Sequence, residues 1–183
     1  MVELVPYLSE KHLSWRNDKR VRLWTRQNGW LTQEDHERWW KGLQGDPSRK
    51  FFGILAHPDK ESVLKVGGQL FNKKPVNVGT CGLTGINLEH GHAEFSLLIG
   101  PEYHRKGYGR EALKELLKYG FKVLRLNHIR GETFEGNPAY NLFKELGFQD
   151  CGCFHGMYYK FGEWKDCLLL EMNHRVFKEQ SWA

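Results

Sequence analysis

No stretch of this chain runs for the roughly 18 apolar residues that a membrane-spanning helix requires. The first residues, MVELVPYLSEKHLSW, lack the charged-then-apolar order of a secretory signal. A cytoplasmic protein with no membrane partner is the expectation. Cysteine is scarce: Cys81, Cys151, Cys153 and Cys167 are the whole set. The Cys-Gly-Cys at 151–153 is not C-x-x-C, and no second pair stands at zinc spacing. Reduced thiols and no metal are therefore expected. Internal repeats and low-complexity tracts are missing. So are the phosphate-binding patterns G-x-x-x-x-G-K-[ST] and G-x-G-x-x-G.

What is present is an ordinary globular composition over 183 residues, with a formal net charge of +5. That length fits one domain, 1–183, with a core that needs no staples. The positive balance suits an anionic ligand and is weak support for nucleic acid. Basic residues crowd KHLSWRNDKRVRLWTR, residues 11–26, together with Trp15 and Trp24.

Patterning predicts the elements. VELVPY reads as a strand, residues 8–18 as a helix and KFFGILA as a strand. In LTQEDHERWWKGLQG, Thr32 and Asp35 form a capping box, and His36, Trp39, Trp40 and Leu43 share a stripe. HPDKES reads as a turn, with VLKVGGQLF continuing a hairpin. VNVGTCGLTGINL and HGHAEFSLLIG read as antiparallel neighbours. Ala93, Phe95, Leu97 and Ile99 point to one face of the second strand, and Glu94, Ser96 and Leu98 to the other. Leu113, Leu116, Leu117, Phe121 and Leu124 line one helix. NHIRGETF is a strand. Pro138 opens a short helix striped by Ala139, Leu142, Phe143 and Leu146, with Gly147 as its stop. CGCFHGMYYKF and WKDCLLLEM close the chain as a hairpin. The sum is a mixed α/β domain on one sheet.

The most informative stretch is EYHRKGYGREALKELLKYG, residues 102–120. A helix begins with unpaired N–H groups and a partial positive charge, so its mouth can hold an anion. Gly107 and Gly109 let a ligand approach the backbone, and Arg105, Lys106 and Arg110 add charge there. A phosphate-bearing ligand is expected.

In context, AEFSLLIGPEYHRKGYGREALKELL resembles the acyl-CoA motif of the GNAT superfamily of N-acyltransferases: Gln or Arg, two residues, Gly, one residue, then Gly or Ala, after an antiparallel strand. Here it reads His104-Arg105-Lys106-Gly107-Tyr108-Gly109. NPAYNLFKELGF, residues 137–148, resembles the family's second motif, and the likeness spans roughly residues 76–172. His104 departs from Gln or Arg, and Phe143 stands where many members place a Tyr that protonates the departing thiolate. Packing is the expected role of Phe143.

The resemblance implies a mostly antiparallel sheet with a splayed parallel pair, here EFSLLIG and HIRGETF, flanked by helices. It implies acetyl-CoA as co-substrate, with residues 76–172 as the coenzyme half and 1–75 as the acceptor half. Backbone N–H groups from Arg105 to Arg110, Tyr108 among them, would take the pyrophosphate. Leu98 and Ile99 would orient the pantetheine, Asn137 would touch it, and Phe143 would lie nearby. Glu94 is the first candidate base, followed by Glu132, Glu135 and His92. Tyr140, Tyr103 or Tyr108 could serve as acid. WRN at 15–17 and the His/Trp helix resemble the front end of amino-sugar nucleotide acetyltransferases and, more loosely, of Rim-type protein N-terminal acetyltransferases. Trp15, Arg16 and Asn17 would then flank the acceptor, and Trp24, Trp30 and Trp40 would wall it. A small or nucleotide-linked amine is the expected acceptor. A protein N-terminus, a nucleic-acid base amine and a non-catalytic CoA- or partner-binding module are the alternatives. The chain is expected as a monomer or homodimer.

Overall fold

The computed structural model describes residues 1–58, 63–66, 69–72 and 74–183, with 63–66 and 69–72 as backbone alone. The alternation along residues 93–99 sets the architecture: Ala93 and Phe95 are buried while Glu94 is half-buried and Ser96 exposed. One face of that strand therefore meets the core and the other faces the site.

The elements in chain order are β1 (Val2–Val5), α1 (His12–Asn17), α2 (Lys19–Arg22), α3 (Gln33–Leu43), β2 (Lys50–Ala56), β3 (Val63–Val66), β4 (Gln69–Asn72), β5 (Val76–Asn87) and β6 (His92–Ile99). They continue with α4 (Tyr108–Lys118), β7 (His128–Phe134), α5 (Ala139–Glu145), β8 (Gln149–Lys160), β9 (Glu163–Asn173) and α6 (His174–Lys178). Seven strands form one mixed sheet in the order β1-β2-β5-β6-β7-β9-β8. Every neighbouring pair is antiparallel except β6 and β7. Leu113, Leu116 and Leu117 of α4 are fully buried against Ile54, Val78, Leu83 and Ile129 of the sheet. Burying a leucine side chain is worth about 1.5–3 kcal/mol, so this one helix face anchors the fold.

Several elements differ from the sequence expectation. The helix read over 8–18 is two short helices, because Asp18 adopts an extended conformation (φ −65°, ψ 133°) and caps α2 by accepting from the Arg20 N–H. Thr32 and Asp35 do form the capping box, but α3 has no fully buried residue, and its His/Trp stripe is half-buried. Strands β3 and β4 pair with each other in a separate two-stranded sheet instead of extending the main one. The turn read at HPDKES lies mostly outside the described residues, as do Gly67 and Gly68 within the hairpin read at VLKVGGQLF. The stripe ending in Phe121 and Leu124 leaves α-helical geometry after Lys118 and continues as a π-turn, Tyr119–Val123. Phe121 is still buried, stacked on Phe177 of α6 at 4.6 Å. Helix α6 carried no expectation.

Candidate active site

Strands β6 and β7 pair only at His92↔His128, Ala93↔Ile129 and Glu94↔Arg130. Beyond that, β6 runs to Ile99 paired with β5 alone, and β7 runs to Phe134 paired with β9 alone. The two strands therefore part after Glu94. Their inner edges carry backbone groups without a strand partner, and such groups demand one. Leu98 and Ile99 lie on the open arm of β6. The His104 ring nitrogen Nε2 lies 2.9 Å from the Ile99 carbonyl, tying the following loop to that arm.

The loop ends at Gly107, the N-cap of α4, which sits at φ +81° with no side-chain cap. A Cβ there would meet nothing within 4 Å, so the corner is open. Arg105 also adopts a left-handed conformation, φ 60°. The amides of Arg110 and Glu111 donate to the Gly107 carbonyl at 3.0 and 3.2 Å. This corrects the expected run of anion donors: the Arg110 amide is engaged inside the helix, and the open amides are those of Arg105 to Gly109. The Arg110 guanidinium pairs with Glu145 of α5, while Lys106 lies 5.4 Å over the Tyr103 ring. A Cβ on Gly109 would make only ordinary contacts of 3.5–3.6 Å with Ile99, Leu142 and Leu97. An unplugged, amide-rich helix start beside Arg105 and Lys106 fits a diphosphate.

Where the strands part, charged groups converge. Arg26 hydrogen-bonds Glu94 of β6 and pairs with Glu132 of β7 at 3.0 Å. Arg130 reaches Glu94 at 3.7 Å. Both carboxylates are 16% exposed. Glu132 also accepts from the Tyr158 hydroxyl at 3.0 Å and from the Cys167 thiol at 3.5 Å. Burial works against the Arg26 charge, but the Glu94 hydrogen bond and the two nearby carboxylates outweigh it and hold the guanidinium more firmly protonated. Burial raises the Tyr158 phenol, the Glu132 hydrogen bond adding to the effect against the pull of Arg26. Burial and the same carboxylate push the Cys167 thiol up to about 12. Trp24 and Phe134 complete the lining beside this cluster.

Arg26 reaches this place on an anchored loop. The Lys160 ammonium, 2% exposed, donates to the carbonyls of Arg22 (3.1 Å), Thr25 (2.7 Å) and Gln27. Asn17 secures the next turn: its amide donates to the Leu31 carbonyl at 2.8 Å, and its oxygen accepts from the Leu31 N–H at 2.9 Å. Neither Arg26 nor Lys160 was singled out from the sequence. Arg26 is 68 positions from Glu94, and only the density of basic residues at 11–26 pointed to the region.

Other sequence-chosen residues have scaffolding contacts. Trp15 is 3% exposed, and its indole N–H donates to Glu102 at 3.1–3.2 Å. A Cβ on Gly100 would lie 2.5 Å from that ring. Trp15 thus clamps α1 to the end of β6. Arg16 binds Gln27 at 3.1 Å, and Asn17 is engaged as described. Trp40 tilts against Trp39, and Trp30 is exposed with Arg22 over its ring at 4.7 Å. Tyr140 donates to Asp150 at 3.0 Å, and that bond raises its phenol, leaving it a weaker acid tied to the start of β8. Asn137 engages both ends of its amide, donating to Thr133 at 2.8 Å and accepting from the Ala139 N–H at 2.9 Å. Phe143 is buried edge-on to Phe95 at 5.1 Å, which makes it a core residue. His92 sits at the closed end of the strand pair, stacked on His90 at 6.5 Å, and Glu135 is exposed.

This architecture has known counterparts. The acetyltransferase (GNAT) domain model matches residues 3–149. The Bacillus subtilis protein named uncharacterized N-acetyltransferase YnaD is 31% identical over 139 residues, 75% of this chain and 72% of that one. Spermidine N(1)-acetyltransferase of Vibrio cholerae is 33% identical over 90 residues, 49% of this chain and 52% of that one. The Bacillus licheniformis protein p20 is 38% identical over 76 residues, with 43% of its length covered. Matches to these last two therefore span about half the relative's length. A crystal structure of the Vibrio cholerae spermidine N-acetyltransferase with CoA and spermine superposes with a TM-score of 0.79 at 21% identity, covering 97% of this chain and 98% of that one. No described helix is long and apolar enough to cross a membrane. The chain belongs to the GNAT acetyltransferase family.

Proposed function

We propose that this protein is an acetyl-CoA-dependent N-acetyltransferase for a small primary amine. The observation that carries the reading is the parallel pair that parts after Glu94 and opens toward the bare corner at Gly107. The amides of Arg105 to Gly109 would hold the pyrophosphate, with Arg105 and Lys106 adding charge. The inner edge at Leu98 and Ile99 would direct the pantetheine, and Asn137 would border it. Bound acetyl-CoA supplies an acyl thioester; the chain must supply a neutral amine. An alkylamine with a pKa near ~10 arrives protonated, so Glu94 takes its proton, with Glu132 beside it. Arg26 occupies the place an incoming ammonium would take between the two carboxylates, and the acceptor displaces it. A thiol leaving group near pKa ~8.5 departs with little help. The packed Phe143 is therefore compatible with turnover.

For the acceptor, the segment over the site carries Arg16, Lys19, Arg20, Arg22 and Arg26. Those charges favour an amine joined to an anionic group, as in a nucleotide-linked amino sugar, over a free polycation. A second reading, a polyamine acceptor, is favoured by the relatives named for spermidine and by the neighbour solved with spermine. Residues 1–75 set this choice in either case. Thiol release from acetyl-CoA, followed across a nucleotide-linked amino sugar, spermidine, spermine and a peptide N-terminus, distinguishes them. Turnover with the anionic amine alone supports the first reading. Turnover with spermidine alone overturns it in favour of the second, and acetyl-CoA binding without turnover on any amine argues for a non-catalytic module.

A further inference from the structure

The β8–β9 hairpin brings together three residues that acetyl transfer does not use. Cys153 and His155 are two apart on β8 and so share a face. The register pairs Cys153 with Leu168 and Phe154 with Cys167, which puts Asp166 across from His155 on that same face. A register shift between Phe154 and Tyr158, with Gly156 at φ 57°, bends the strand there. Cys167 belongs to the opposite face, where its thiol meets Glu132. The cluster is therefore separate from the carboxylate pair.

We propose that Cys153 Sγ, His155 Nδ1 and Asp166 Oδ2 bind a borderline divalent transition metal such as Zn²⁺. The Sγ–Nδ1, Sγ–Oδ2 and Nδ1–Oδ2 separations are 3.8, 3.9 and 2.8 Å, and all three atoms lie within 4.8 Å of one another. Tetrahedral zinc with ordinary bond lengths sets its ligands about 3.3–3.6 Å apart. Shifts of a few tenths of an ångström bring the two sulfur distances to that range, and the Nδ1–Oδ2 hydrogen bond opens by about half an ångström. The alternative chemistry for Cys, His and Asp is a nucleophile relay, in which thiol and carboxylate address opposite ring nitrogens. Here both address Nδ1, so the three atoms converge on a point.

The carboxylate is already oriented, because its other oxygen accepts the Gly156 N–H at 2.8 Å. Such outer hydrogen bonds fix metal ligands. On binding, the S–H bond breaks, its proton leaves to solvent and the thiolate donates to the metal. His155 is 83% exposed, which leaves a fourth position open to water. A sequence scan misses the site because two ligands stand closer than C-x-x-C and the third arrives across a turn.

Titrating the full chain with Co²⁺ under reducing conditions tests this. One equivalent should produce thiolate-to-cobalt charge-transfer absorption with tetrahedral d–d bands, and Zn²⁺ should abolish both. Cys153→Ser and His155→Ala should lose the charge-transfer spectrum while circular dichroism stays native. Cys151→Ser should keep it. Absence of the spectrum in the unaltered chain, its persistence in folded Cys153→Ser, or its loss in Cys151→Ser would overturn the site.

Discussion

Glu94 and Glu132 face the same guanidinium, that of Arg26, one from each of the two strands that part, and in the proposed function an amine replaces it. Replacing Glu94 by Gln preserves shape and removes the proposed proton acceptor. Its kcat should fall by about 10²–10⁴-fold, with acetyl-CoA affinity held, as measured by thiol release alongside calorimetry. Phe143→Tyr should fold and stay active. The added hydroxyl enters a ring cluster with Phe95 and Phe148, so a loss of about 1–3 kcal/mol in stability is expected if it finds no partner. A collapse of kcat in the folded variant would contradict its packing role. Phe143 was legible because its helical stripe declared it apolar. Trp15, Arg16 and Asn17 have scaffolding contacts the sequence did not declare, because tryptophan and asparagine hold scaffolds as readily as they line sites. Arg26 and Lys160 gave no local signal, since their partners lie 68 and more than 130 positions away.

Local rules did well wherever the chain's own neighbours decide the outcome. The Thr32–Asp35 box and the alternation of β6 both follow from spacing of two or three residues. The break at Asp18 does not, because an N-cap for α2 outcompetes continuation of α1 only once that helix packs. Around α1, His12 is 2% exposed between His36 and Trp39, with ring centroids 5.0 and 5.1 Å away. Burial foremost, then His36 and Arg16, lowers its pKa to about 3 from 6.5. The unfolded chain binds a proton that the folded chain refuses between those values. The packed neutral ring therefore contributes fully above pH 6.5 and loses ground as pH falls toward 3. At pH 5 this amounts to about 2 kcal/mol of lost stability. His12→Phe should flatten that dependence in denaturant melts from pH 7 to 4, and an unchanged slope would contradict it. On β8, Lys160→Met should free the loop at 22–27. Acceptor KM should rise about tenfold, roughly 1.4 kcal/mol, with acetyl-CoA binding unchanged. Equal weakening of both ligands would mean general unfolding.

Across the whole molecule, a mostly antiparallel sheet with a parallel junction between β6 and β7 was expected from the family likeness, since strand pairing over long separations has no signature in composition; the order of the seven strands carried no expectation. The separate β3–β4 sheet and α6 lay outside that likeness. The net charge of +5 suits the anionic coenzyme of the proposed function. A shallow salt dependence for any nucleic acid is then expected, and a steep one would revive a base-amine acceptor.

In the proposed function, the start of α4 receives the diphosphate of acetyl-CoA. Isothermal titration of acetyl-CoA into the folded chain, its Gly107→Asn variant and its Gly107→Glu variant tests it. Asn tolerates the left-handed turn, whereas Glu sets a negative charge in the open corner. One-to-one binding that persists in Asn and vanishes in Glu is the predicted result. No heat with the unaltered chain, or equal affinity in all three, would contradict it.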